Sequence, residues 1–373
     1  MMRPLQGIRV LDFSTLLPGP MATLILAEAG AEVIKVERPG KGEDMRWFTP
    51  AWAPDGGSNF ALLNRGKRSL AIDLKEPGAV DRLRPLLETA HVLVEQFRPG
   101  VMQRLGLGYD AVRKLNPRIV YCAITGYGQT GPKAQVAAHD LNYIGETGLA
   151  ALAAEKDGAP PVPPALIADI GGGAMPAVVN ILLALRDAER TGEGRFLDVA
   201  MADSIFAFSY WAQGMQAQGI APVPGGETVT GGSPRYRVYR AADGKYLAVA
   251  PLEQKFWETF CAVIDLDPKL RDDSRDPAAT IAAIAARIAA RTAADWERLF
   301  AGKDACVSVI KTIGDAMDDP HFRGRGLFDR AVTAAGKAMP ALPVGLAPVY
   351  ADLAPRAAAM PALGEANAEL LKR

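Results

Sequence analysis

The strongest constraint on the fold is a regular alternation of β-branched runs and helical patterns over about the first 125 residues. Strand-like runs are predicted at 8–13, 32–36, 69–74, 91–95 and 118–124, with helices at 21–28, 77–88 and 109–115. Strands separated by helices of this length form βαβ units, in which the strands run parallel. The sequence therefore predicts a large, doubly wound (Rossmann-like) α/β domain.

The pattern of predicted strands and helices changes near Gly225. Two strand-like runs, 235–240 and 245–250, flank the turn Ala242-Asp243-Gly244, which is typical of a hairpin. Alanine-rich helical patterns follow at 280–294 and 296–300, whereas the last 40 residues carry several prolines with little periodicity. We predict a large domain at 1–218, a smaller α+β domain at 225–325, and a strap at 326–373 that returns to the large domain.

Composition narrows the range of partners. The 373 residues contain 42 Lys plus Arg and 42 Asp plus Glu, so the formal net charge is zero. That balance indicates neither a nucleic acid nor a membrane surface as a partner. Cys122, Cys261 and Cys306 lie far apart, which predicts no metal site and no disulfide. The amino-terminal residues lack the apolar core of a signal peptide, and the apolar runs are short, so we expect a cytoplasmic protein.

Three histidines are present, at positions 91, 139 and 321. His91 begins a predicted strand and His321 lies in a predicted loop, where a surface or capping role is the simpler interpretation. His139 stands in Ala138-His139-Asp140-Leu141-Asn142-Tyr143, between a glycine-punctuated segment and an apolar one. A lone histidine followed by an acid is more often structural than catalytic, so His139 becomes a candidate only with further support.

Asp169 ends an apolar run and is followed by three glycines and a helical pattern. A carboxylate at the start of a helix is favoured by the free N–H groups there, so a helix cap is one interpretation. The other is a ligand site, because glycines let a ligand approach the backbone closely and free N–H groups stabilise an oxyanion. The spacing of residues 171–173 matches neither a dinucleotide fingerprint nor a P-loop.

Basic side chains collect at the ends of predicted strands and in the loops after them. They are Arg38, Lys75, Arg98 and Arg104. In open α/β sheets, ligands bind outside the carboxyl ends of the strands. Cations gathered there suit a phosphate-bearing ligand, although most surface arginines are simply solvated.

Several segments together resemble the class III CoA-transferase superfamily. They are residues 4–11 with Leu17-Pro18-Gly19-Pro20, residues 30–39, Asn64-Arg65-Gly66-Lys67-Arg68, Arg98-Pro99-Gly100 with residues 105–109, and residues 126–132. The resemblance spans nearly the whole chain. Within the superfamily the chain is most similar to the 2-methylacyl-CoA racemases, because His139 stands in the stretch 139–143, where the transferases usually lack a histidine.

The resemblance implies a two-base proton shuttle that uses His139 and Asp169, with Glu253 as a carboxylate that assists the histidine. It also implies an acyl-CoA substrate, no separate cofactor, and an interlaced homodimer. The CoA contacts that it implies are Arg38, Leu74, Lys75, Gln96, Phe97, Arg98, Arg104, Ala138, Asp140, Asn142 and Tyr143.

Three functions stay open at this level. The first is racemisation of 2-methylacyl-CoA thioesters through an enolate. The second is a CoA-transferase in which Asp169 is the nucleophile and forms an enzyme-CoA thioester. The third is a catalytically silent CoA-binding protein, which would have no need to retain His139, Asp169 and Glu253 together.

Overall fold

The structure is a computed structural model that describes residues 3–154 and 158–371. The chain forms two compact units. Among the described residues, one comprises residues 3–147, 163–207 and 320–371, and the other comprises residues 148–154, 158–162 and 208–319. These bounds differ from the predicted ranges 1–218, 225–325 and 326–373, since the second unit takes residues 148–162 and begins again at 208. The carboxyl-terminal residues 320–371 belong to the first unit.

The strands, in chain order, are β1 (Arg9–Asp12), β2 (Glu32–Glu37), β3 (Ala51–Ala53), β4 (Gly56–Gly57), β5 (Arg68–Ala71), β6 (Val92–Glu95), β7 (Val120–Thr125), β8 (Phe196–Ala200), β9 (Arg237–Arg240), β10 (Tyr246–Val249), β11 (Val307–Val309), β12 (Ala331–Ala334), β13 (Lys337–Pro340) and β14 (Ala357–Ala359).

The helices are α1 (Pro18–Glu28), α2 (Ser58–Asn64), α3 (Ala79–Thr89), α4 (Val101–Arg104), α5 (Tyr109–Leu115), α6 (Asp140–Glu146), α7 (Met175–Thr191), α8 (Met201–Ile205), α9 (Tyr210–Ala217), α10 (Gln254–Val263), α11 (Pro277–Ile288), α12 (Ala293–Phe300), α13 (Ile313–Met317), α14 (Pro320–Gly324), α15 (Pro348–Ala351) and α16 (Asn367–Leu370). A wider π-helical turn, Ala168–Ala174, leads directly into α7.

The large unit is built on a six-stranded sheet with the order β5-β2-β1-β6-β7-β8. All five pairings are parallel, which confirms the predicted doubly wound α/β architecture. From β1 the chain moves outward to β2 and β5, and then returns to β6 on the other side of β1. The order reverses between β1 and β6, and a crevice opens there at the carboxyl ends of the strands.

Helices cover both faces of this sheet. Leucines of α3 and Val112 of α5 pack on the face formed by Leu11, Leu93 and Tyr121. On the opposite face α7 packs against α1 and β7. By length and composition the helical run Ala168–Thr191 could cross a membrane, and 39% of its most apolar window is buried in the fold. Its contacts with α1 and β7 are those of a helix that covers a sheet.

The second unit has its own core. The predicted hairpin forms β9 and β10, and β11 joins them in an antiparallel sheet. Trp257, Phe260 and Trp296 are buried beneath this sheet. The prediction that a helix covers 280–294 is wrong about where the helix ends, because α11 ends at Ile288. Thr292 then caps α12, where its side chain accepts a hydrogen bond from the Asp295 N–H at 3.2 Å.

The carboxyl-terminal segment forms a small sheet of its own and bonds to β5 of the six-stranded sheet. Its strands form a small sheet of order β13-β12-β14, and buried Val332 packs with Phe60 of α2. Asn367 bonds to β5 twice, because its side-chain oxygen accepts the Ala71 N–H and its amide donates to the Ala71 carbonyl, both at 2.8 Å. The low periodicity of this segment reflects its short strands.

Candidate active site

A cleft of about 370 Å³ lies where the strand order of the large sheet reverses. The loop after β1 contributes Leu16 and Pro18, and the loop after β6 contributes the stretch that begins at Gln96. The structure brings most of the predicted site residues together in this one cleft, which we call the reactive cleft. They are Gln96, Phe97, Arg98, Ala138, His139, Asn142, Tyr143 and Asp169.

His139 is the residue immediately before α6 and is exposed to solvent. Its backbone N–H donates to the Asn142 side-chain oxygen at 3.0 Å, which is one half of a capping box. The phenol of Tyr143 donates to the Ala138 carbonyl at 2.9 Å. These two bonds fix the backbone on both sides of the imidazole, so the side chain projects from a rigid turn.

Asp169 occupies the first turn of the helical segment Ala168–Ala174 and is partly buried. Its backbone N–H donates to Oδ1 of Asp140 at 2.9 Å. Burial and the neighbouring Asp140 carboxylate raise the pKa of Asp169 to about 6, while the charge of His139 acts in the opposite direction. A carboxyl with this pKa exchanges a proton readily near neutral pH, unlike an ordinary aspartate.

The glycines after Asp169 serve packing rather than an open helix start. The sequence predicts free N–H groups at residues 171–173, at the start of a helix. The structure places these residues inside the π-helical turn instead, so that prediction is wrong. A Cβ at Gly172 would lie 2.5 Å from the carbonyl oxygen of Met201, and one at Gly173 would lie 3.0 Å from Pro18 Cβ. Small residues are required because α1 and α8 pack directly against this turn.

A second cleft, of about 460 Å³, contains three more of the predicted CoA contacts. Leu74, Lys75 and Arg104 line it, and Asp73 fixes the backbone there because its carboxylate accepts the Lys75 N–H at 2.9 Å. We call this the cationic cleft. Arg38 lines neither cleft. Its Nε donates to the Gly42 carbonyl at 2.7 Å, and its guanidinium pairs with Asp44.

The remaining two predicted residues have separate positions. Asp140 is buried at 5% exposure, and its side chain is engaged with the Asp169 amide. Glu253 belongs to the second compact unit, where it precedes α10 and is exposed. Its carbonyl accepts the N–H groups of Phe256 and Trp257. Among the described residues no group of three or more His, Cys, Asp or Glu could hold a metal ion.

Sequence reasoning missed one acid at the edge of the reactive cleft. Glu95 ends β6 and is 5% exposed, and Phe97 donates its N–H to Glu95 Oε2 at 2.8 Å. Burial, with a smaller contribution from Asp198, raises the pKa of Glu95 to about 7. The only sequence signal was an acid that closes a fully apolar strand, Val92-Leu93-Val94-Glu95.

Sequence reasoning also missed a buried ionic cluster beneath the loop after β1. Asp12 accepts hydrogen bonds from Thr23 Oγ1 at 2.6 Å, from Lys67 Nζ at 3.1 Å and from the hydroxyl of Ser14. Burial opposes ionisation, but the charges of Lys67 and Lys35 outweigh it and hold the pKa of Asp12 well below its usual range. Lys35 donates in turn to the Ser14 carbonyl at 3.0 Å. The cluster anchors the loop that carries Leu16 into the reactive cleft.

The family model for CoA-transferase family III matches residues 5–367. The chain belongs to CoA-transferase family III. Among its curated family relatives, alpha-methylacyl-CoA racemase of Homo sapiens is 34% identical over 87% of this chain and 82% of its own length. Acetyl-CoA:oxalate CoA-transferase of Acetobacter aceti is 33% identical over 99% of this chain and 95% of its own length.

Solved structures of CoA-transferase family III share the fold. A CaiB/BaiF family protein from Brucella suis superimposes with a TM-score of 0.85 at 27% identity, over the full length of both chains. The family consists of enzymes, and both its racemases and its CoA-transferases are similar to this chain at nearly the same identity. Membership therefore fixes the fold and the enzyme family, and the reaction has to be argued from the site.

Proposed function

We propose that the protein interconverts the epimers of 2-methylacyl-CoA thioesters by a two-base 1,1-proton transfer. The observation that carries this proposal is the presence of an imidazole, His139, and a carboxyl with a raised pKa, Asp169, in one cleft. Inversion requires that the α-proton leaves one face of a planar enolate and that another proton arrives on the opposite face. A single base that cannot cross the plane returns the proton to the face from which it came.

The acid–base properties of the pair suit a reversible reaction. In one direction the histidine is the base and Asp169 is the acid, and in the other direction the roles exchange. An ordinary aspartic acid, with a pKa near 3.9, gives up its proton too readily to act as the acid at neutral pH. Burial and the neighbouring Asp140 raise the pKa of Asp169 to about 6, close to the pKa of ~6.5 that is typical of histidines. Both protonation arrangements are then accessible.

The enolate oxygen also needs hydrogen-bond donors. In α6, which begins with Asp140 directly after His139, the N–H groups of Asn142 and Tyr143 donate to the His139 carbonyl, at 2.9 and 3.3 Å. We infer that the two amides before them, those of Asp140 and Leu141, bind the thioester oxygen as charge develops on it, rather than the amides of residues 171–173. Preorganised donors of this kind contribute about 3–4 kcal/mol to lowering a barrier.

CoA binding is assigned to the two clefts. Arg98 in the reactive cleft and Lys75 and Arg104 in the cationic cleft supply charge for phosphates, in a chain that has no net charge to attract them. The CoA moiety is part of the substrate, so we propose that no separate cofactor takes part. A cytoplasmic location stays a prediction.

We further propose that the enzyme works as a homodimer. Met175, Val179, Leu182 and Leu183 are spaced along one face of α7 and are 39–64% exposed, although they are large and apolar. Such a stripe normally packs against another surface. In an interlaced dimer Glu253 of one chain would assist His139 of the other. Light scattering that finds an active monomer would contradict this assembly.

The alternative is a CoA-transferase, and the similarity to acetyl-CoA:oxalate CoA-transferase favours it. Asp169 would then attack the acyl-CoA carbonyl and expel the CoA thiolate, which leaves a mixed anhydride. The thiolate would attack the aspartyl carbonyl of that anhydride and release the acyl group as a carboxylate, which gives an enzyme-CoA thioester. His139 weighs against this, because the transferase route gives it no essential role. Exposure of the Asp169 carboxyl to the cleft suits either reaction.

One experiment separates the two reactions. The protein is incubated with a 2-methylacyl-CoA in D₂O, and both the substrate and the intact protein are analysed by mass spectrometry. We expect one deuterium in the recovered thioester and no adduct on the protein. A covalent CoA adduct on Asp169, without deuterium in the substrate, would establish the transferase instead.

A further inference from the structure

Asp140 is a buried acid to which the proton transfer assigns no step. It is the first residue of α6 and is 5% exposed. A buried carboxylate is costly unless its oxygens are paired. Here Oδ1 accepts the backbone N–H of Asp169 at 2.9 Å, across 29 residues of sequence.

This bond connects the two members of the proposed acid–base pair. Asp140 follows His139 directly in the chain, and its side chain binds the amide of Asp169. The element that carries the imidazole is thereby tied to the turn Ala168–Ala174, which packs against α6. Removing the acceptor would release the first turn of that segment from α6.

The bond holds the Asp140 carboxylate at the backbone of Asp169, close enough for its charge to act on the Asp169 carboxyl. Like charges at short range disfavour ionisation of both groups, so a negative Asp140 favours the protonated form of Asp169. Burial contributes the larger part of the rise in the pKa of Asp169, Asp140 adds to it, and His139 opposes it.

Other charged groups on the packed elements are accounted for. On α6, Glu146 pairs with Lys133 and Tyr143 carries no charge at neutral pH. Glu28 of α1 pairs with Arg65 and Arg330. Asp198 of β8 binds the Gln129 N–H, and Asp203 of α8 is exposed. The charged residues of α7 begin at Arg186, three turns beyond the π-helical turn.

We propose that Asp140 is a positioning residue for Asp169, whose amide it holds and whose protonated form it favours through its negative charge. This inference depends on the proposed function in one respect, which is that Asp169 is taken to act as an acid in the reaction. Asp140→Asn keeps a carbonyl oxygen for the Asp169 N–H and removes the charge. Asp203→Asn removes a charge from the neighbouring helix α8 and is the matched control.

The test is an infrared pH titration of the unliganded, full-length protein. The carboxylic-acid band of Asp169 is identified as the one lost in Asp169→Asn. In the wild type we expect it to titrate near pH 6. In Asp140→Asn we expect the midpoint to fall by about one pH unit, a tenfold change in the ionisation constant, and in Asp203→Asn to stay in place. An unchanged midpoint in Asp140→Asn would overturn the proposal.

Two further measurements keep the test decisive. Near-ultraviolet circular dichroism verifies the fold of Asp140→Asn, and Asp140→Ser replaces that variant if it fails to fold. With the epimer whose α-proton Asp169 removes, the acid limb of the kcat/KM profile should move to lower pH in Asp140→Asn. With the other epimer, for which Asp169 is the acid, the alkaline limb should move to lower pH instead. If the wild type shows no α-proton exchange, the proposed function fails, yet the infrared midpoints still decide the role of Asp140.

Discussion

Two aspartates at the carboxyl edge of the same sheet have opposite environments. Asp12 is fully buried and surrounded by donors, with Lys67 at 3.1 Å and Thr23 at 2.6 Å. Asp169 is less buried, yet the Asp140 carboxylate binds its backbone N–H and acts on its carboxyl as a like charge. The pKa of Asp12 lies below its usual range and that of Asp169 rises to about 6. Pairing, more than burial, therefore distinguishes an acid that holds the fold together from one that can transfer a proton.

The largest expected effect is catalytic and concerns Asp169. Asp169→Asn keeps the size of the side chain but can neither accept nor donate the α-proton as a carboxyl does. We expect epimer interconversion to fall by about 10²–10⁴-fold, the usual contribution of a positioned acid or base. Chiral chromatography of the recovered acyl group measures it, with Asp203→Asn as the control. Retention of wild-type activity in Asp169→Asn would mean that Asp169 transfers no proton, and its proposed difference in role from Asp12 would be lost.

For Asp12, the paired acid, the corresponding prediction is a large loss of stability when its cation is removed. Lys67→Met leaves the Asp12 carboxylate buried without its closest cation, which typically costs about 3–5 kcal/mol. Denaturant unfolding followed by circular dichroism measures the free energy of unfolding. Arg9→Gln breaks the partly solvated ion pair with Glu32, whose side chains are about one-third exposed, and should cost less than about 1 kcal/mol. Equal losses in the two variants would show that burial adds nothing to this pairing.

Stability should also depend on pH in opposite ways at the two sites. Because the folded-state pKa of Asp169 is above its ordinary value of 3.8, its ionisation destabilises the fold as the pH rises from about 4 to about 6. Asp169→Asn should be more stable than the wild type by about 2 kcal/mol at pH 8 and equal to it at pH 4. Thermal unfolding across this range tests the sign. A variant that is less stable at pH 8 would mean that Asp169 is paired, like Asp12.

The smallest effect is expected in the cationic cleft, where the charges are solvated. Arg104→Gln should raise the Kd for CoA by about threefold to tenfold, because an exposed phosphate contact is partly screened by water and salt. Isothermal titration at two salt concentrations measures it, and Arg82→Gln on the neighbouring helix α3 is the control. A similar change in both variants would mean that Arg104 makes no specific contact.

The sequence predicts much of this arrangement. The alternating strands and helices specify the parallel sheet, and the resemblance to family III selects His139 and Asp169. What it does not reveal is the environment of Asp169, because Asp140 reaches it across 29 residues and the contact exists only in the fold. Residues 171–173 mislead for a related reason. Glycines that permit close packing against Met201 and glycines that admit a ligand look the same in sequence.

The central claim is that two different groups serve the two faces of one enolate. It is tested most directly by following each pure epimer of a 2-methylacyl-CoA in D₂O with His139→Gln. We predict that this variant inverts neither epimer. It should still exchange the α-proton of one epimer, the one whose α-proton points toward Asp169. Interconversion of the two epimers at the wild-type rate would contradict the account.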